Sequence, residues 1–81
     1  MKRKPGTFYV EPIGGLANEA VSKALEQNVI QSEASKKRCA DGERRDLWQV
    51  PEGIVRQLKT NNVPVNVFET TLHGEIQVVN Y

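Results

Sequence analysis

The dipeptide Asp41-Gly42 constrains this chain more than any other feature. Both residues tolerate positive φ, so the pair is a strong signal for a tight β-hairpin turn. The arms on either side read as strands of a hairpin over residues 35–50, with Trp48 and Val50 as apolar anchors on the return arm. The outgoing arm, Ser35-Lys36-Lys37-Arg38, is less strand-like, and the end of a helix that stops at Gly42 is the alternative to the preferred hairpin. A two-residue turn sets Cys39 opposite Arg44, Arg38 opposite Arg45 and Lys37 opposite Asp46. The last pair is favourable, whereas two arginines directly opposed destabilise a ladder. Three resolutions are open: an anion lying against the arm, a register one residue away, or an exposed edge strand whose charges discourage aggregation.

The rest of the chain supplies elements that fit round such a hairpin. Thr7 to Glu11 is rich in β-formers, with Phe8 and Val10 on one face and Tyr9 and Glu11 on the other. Pro12 and Gly14-Gly15 end that strand in a turn. Residues 18–28 carry Ala20, Val21, Ala24 and Leu25 on one stripe with Ala17 just before them, which predicts a helix capped by Asn18 and stopped at Asn28. Pro51 suits the first position of a second helix with Ile54, Val55 and Leu58 on its apolar face. Asn61-Asn62 end it. Residues 63–80 alternate as a second hairpin turning at His73-Gly74, and Pro64 suggests that its first strand begins at a sheet edge. The expected class is α+β, in the order β-α-β-β-α-β-β. That order fits a winged-helix-like domain or the split βαβ (ferredoxin-like) arrangement with one extra strand.

A chain of 81 residues makes one domain, 1–81, and buries roughly 60% of its unfolded surface. Residues 1–6, with Lys2-Arg3-Lys4 before Pro5-Gly6, read as a basic arm. The formal net charge is only +1, from 11 Lys and Arg against 10 Asp and Glu, so bulk charge decides nothing about partners. Its distribution says more: Lys36, Lys37, Arg38, Arg44 and Arg45 cluster at the hairpin, and no Lys or Arg follows Lys59.

Catalytic and metal chemistry lack the residues they need. One His and one Cys, with no motif joining them, give neither a nucleophile–base pair nor three or four metal ligands. His73 reads as an exposed turn residue and Cys39 as a small strand residue. No cofactor is implied, since Gly14-Gly15 lacks the wider glycine pattern of a phosphate loop. Tyr9 and Phe8 suggest a base-stacking platform, but only one of them can face outward, and Phe8 and Trp48 fit a core better. A single cysteine suits a reducing compartment, no apolar run approaches the ~18 residues of a membrane span, and the basic start has no apolar segment behind it. The expectation is a cytoplasmic, non-enzymatic protein.

Residues 21–30 (VSKALEQNVI), the turn Asp41-Gly42-Glu43-Arg44-Arg45, the strand Leu47-Trp48-Gln49-Val50-Pro51 and the helix from Ile54 to Lys59 together resemble the winged-helix DNA-binding region of phage excisionases and related regulators. The resemblance covers residues 18–59, and no helix precedes residue 18 as the family pattern requires. It implies that residues 18–28 enter the major groove with Asn18, Ser22, Lys23 and Gln27 outward. It also implies that Lys36 to Arg45 form a wing on the phosphates. The nucleic-acid-binding residues expected on this reading are Lys23, Lys36, Lys37, Arg38, Arg44 and Arg45. The alternative expectation is a protein-binding module or small inhibitor acting through a strand edge or the C-terminal hairpin.

Overall fold

The computed structural model describes residues 7–81, so the basic arm at 1–6 lies outside the described residues. The elements are β1 (Phe8–Pro12), α1 (Gly15–Gln27), β2 (Ala34–Arg38), β3 (Arg44–Val50), α2 (Glu52–Thr60), β4 (Val65–Thr70) and β5 (Ile76–Val78). The expected class and element order hold. The two hairpins, however, are not separate units: all five strands join one antiparallel sheet in the order β2-β3-β1-β4-β5. Inserting β3 between β1 and β2 is the split βαβ arrangement, extended by β5, and not the winged-helix-like one that the element order also allowed. β4 is interior rather than an edge, so Pro64 does not mark an edge strand. It precedes β4, and its carbonyl accepts a bond from Ile13 N–H at 2.9 Å.

Alternation along the strands decides which residues meet the helices. Phe8 and Val10 of β1 sit beside Val50 and Trp48 of β3, and Val10 also beside Val67 of β4. With Val65, these residues pack against Val21, Ala24 and Leu25 of α1 and Ile54, Val55 and Leu58 of α2 in the main core. Phe8 and Trp48 are thus core residues, as expected, Trp48 at its margin.

α1 starts three residues earlier than the periodicity suggests. Gly14, at φ +95°, takes the cap position, Asn18 N–H already bonds to its carbonyl, and Ala17 is buried. Asn18 is therefore not the cap; its side-chain oxygen instead accepts a bond from Trp48 Nε1 at 3.3 Å. Pro51 likewise stands just before α2 rather than in its first position, and its carbonyl accepts from Ile54 N–H at 3.0 Å.

Both helices end in the same way. Ile30 N–H bonds back to Leu25 and Val63 N–H to Leu58, both at 2.9 Å, forcing the intervening Val29 and Asn62 to φ +55° and +59°. This is the Schellman ending, which favours Gly or Asn at the left-handed position. Asn62 suits it. Val29 is β-branched and 91% exposed, so it bears backbone strain with no burial in return.

The face of the sheet turned away from the helices holds a second core of Cys39, Leu47, Phe68 and Ile76, with Tyr9 against it. Among the described residues no helix covers it, yet Leu47 is fully buried. The sheet itself supplies the cover. Ala40 N–H bonds to the carbonyl of Ile76 at 2.7 Å, although these residues belong to opposite margins of the sheet. The tip of the β2–β3 hairpin therefore curls across the open face and touches the start of β5.

Candidate nucleic-acid interface on the β2–β3 hairpin

The hairpin turn is longer than the Asp41-Gly42 signal alone implies. Gly42 N–H bonds to Cys39 carbonyl and Cys39 N–H to Glu43 carbonyl, at 2.9 and 2.8 Å. Ala40, Asp41 and Gly42 thus form a three-residue loop, a type I turn followed by Gly42 at φ +87°. Asp41 reinforces it by accepting Glu43 N–H at 3.0 Å. The β4–β5 turn repeats the pattern, Thr71 N–H bonding to Glu75 carbonyl at 2.7 Å and Gly74 adopting φ +83°.

The extra loop residue shifts the register by one from the two-residue expectation. Arg38 faces Arg44, Lys37 faces Arg45 and Lys36 faces Asp46. The expected Arg38–Arg45 and Lys37–Asp46 pairs do not form, and β2 is a strand rather than the end of a helix. The shift leaves two like-charge oppositions where the shorter turn gave one.

Strand alternation then sorts the basic residues between the two faces. Lys36, Arg38 and Arg44 lie on the helix-side face of the hairpin, beyond the helices, and all three are exposed. Lys36 reaches Asp46 at 3.4 Å. Among the described residues, neither Arg38 nor Arg44 takes part in an ion pair. Lys37 and Arg45 lie on the opposite face, over the second core, and both are half-buried. Lys23 is exposed on α1, a separate element that also carries Glu19 and Glu26. Of the six expected residues, the fold gathers three on one surface, puts two behind it and places one elsewhere.

Arg45 is engaged within the fold. Its guanidinium donates to Asp41 Oδ2 at 2.9 Å, lies 3.8 Å from Glu11 Oε1 and sits 5.6 Å from the centre of the Phe68 ring. The hydrogen bond from Glu43 N–H and that from Arg45 hold the Asp41 carboxyl below its ordinary pKa, and the Asp41 carboxylate in turn raises that of Arg45. Arg45 Nε is buried without a partner. Between the hairpin tip and β4–β5 lies a cavity of about 300 Å³ lined by Cys39, Arg45, Asn66, Phe68, Ile76 and Val78.

Sequence reasoning missed the partnership of Glu11, Asp41 and Arg45. Its only trace in the sequence is the spacing of four between Asp41 and Arg45 across a turn. Among the described residues no group of three or more His, Cys, Asp or Glu is placed to hold a metal ion, and no helix is long and apolar enough to cross a membrane. Comparison with protein-family models, curated proteins and solved structures returned no match.

Proposed function

We propose that this chain is a small non-enzymatic protein that binds DNA along its phosphate backbone, with Arg38 and Arg44 as the principal contacts and Lys36 beside them. The observation that carries the reading is the direct opposition of Arg38 and Arg44, both exposed and neither ion-paired among the described residues. Two guanidinium groups so placed destabilise the ladder, and a phosphate between them reverses the sign of that interaction. The near-neutral net charge of +1 confines the attraction to this patch. Arg45 serves the fold first, and Lys23 is peripheral. A regulatory or accessory role of the phage or mobile-element kind, in the cytoplasm, is the form of the proposal that the excisionase resemblance suggests. The test is fluorescence anisotropy with a labelled generic duplex at low salt. Arg38→Ala and Arg44→Ala should each weaken binding, and equal binding by wild type and both variants refutes the reading.

One observation favours a second reading, a protein-binding module. β5 is a margin of the sheet, carries no Lys or Arg and exposes 63% of Val78, so it lacks the charges that usually protect an edge. Retention of a stoichiometric protein partner that is lost on Val78→Lys, with no nucleic acid retained, would select it over DNA binding.

A further inference from the structure

We infer that the tip of the β2–β3 hairpin is a flap, latched over the open face of the sheet by the Asp41–Arg45–Glu11 ion pairs and able to lift while the rest of the domain stays folded. This inference does not depend on the nucleic-acid reading.

The closed position rests on few interactions. One backbone hydrogen bond, Ala40 to Ile76, joins the tip to the far margin of the sheet. Ala40, Asp41, Gly42 and Glu43 are all exposed, so Cys39, 5% exposed, is the apolar side chain that the tip itself buries. Beside it lies a half-open groove of about 300 Å³ rather than close packing. Against these contacts stands Arg45 Nε, buried and without a hydrogen-bond partner among the described residues, which offsets part of what the ion pairs contribute to the closed position. The main core lies on the other side of the sheet and shares none of these contacts. Segments with few buried apolar contacts open at free energies well below that of global unfolding.

Opening changes what the molecule displays. It frees the guanidinium of Arg45 from the Asp41 carboxylate, while Glu11 and the Phe68 ring stay beside it on the sheet. It also uncovers Phe68 and Ile76 beside Val78, which is already exposed. The flap thus couples release of a cation to exposure of an apolar surface.

Cys39 reports on the latch, because its thiol is buried when the flap is closed. The rate at which a small aromatic disulfide labels Cys39 is measured at rising urea, with global unfolding followed by Trp48 fluorescence. The wild type should label through an opening with shallow urea dependence. Arg45→Met and Asp41→Asn should each speed labelling by about tenfold, with the Trp48 midpoint falling by less than that factor requires. Asp41→Asn keeps an oxygen for Glu43 N–H, so it preserves the turn if Arg45→Met fails to fold. Labelling that tracks global unfolding in every chain, with the full urea dependence, overturns the inference.

Discussion

Asp41 and Arg45, four residues apart across the β2–β3 turn, hold each other at 2.9 Å on the face of the sheet that the helices leave open. This contact removes one cation of the basic hairpin from the exposed surface and turns it inward over Phe68. Arg38 and Arg44 stay outward on the other face. The hairpin thus has a structural side and an exposed side.

The Asp41 contact should make the hairpin sensitive to acid. Asp41 has its pKa lowered in the folded state, so its contribution is fully present above the ordinary carboxylate pKa and is lost as pH falls through the depressed value. Below about pH 4, Cys39 labelling in the wild type, corrected for the falling thiolate fraction, should accelerate, with Asp41, Glu43, Glu11, Arg45 and Lys37 as the charged groups round the contact. In Asp41→Asn the labelling rate, corrected for intrinsic thiol reactivity, should show less of this acceleration.

Val29 should be a site of easy stabilisation. Its φ of +55° is unfavourable for a β-branched residue and its side chain is 91% exposed. Val29→Gly should stabilise the fold by about 1 kcal/mol, seen as a Tm rise of roughly 4–8 °C. Gly42 is the converse case. A Cβ there meets nothing within 4 Å, so Gly42→Ala should cost about 1–2 kcal/mol through the backbone alone.

Leu47 is fully buried in the second core, between Tyr9, Phe68 and the curled hairpin. Leu47→Ala should lower the free energy of urea unfolding by about 2–5 kcal/mol. A loss below 1 kcal/mol would show that the open-face cluster is not a true core.

The sequence and the fold agree where local chemistry dominates. The period-2 pattern of Phe8 to Glu11 and the apolar stripes ending at Asn28 and Asn61 predict elements that form nearly as expected. Asp41-Gly42 correctly marks a turn. It does not fix loop length, because a type I turn with a following left-handed Gly uses the same dipeptide as a type I′ turn. That ambiguity of one residue moved Arg38 from Arg45 to Arg44. Gly14 takes the cap position expected of Asn18, and the earlier start brings the buried Ala17 into the helix. The curl that brings Ala40 to Ile76 depends on sheet coiling over five strands, and no short sequence pattern encodes it.

The most direct test of the proposed function is the salt dependence of duplex DNA binding by wild type, Arg38→Ala, Arg44→Ala and the control Lys23→Ala. The log–log slope should fall by about one unit for each of the two hairpin variants and stay unchanged for Lys23→Ala. Identical slopes for all four chains would contradict phosphate binding by the Arg38–Arg44 pair.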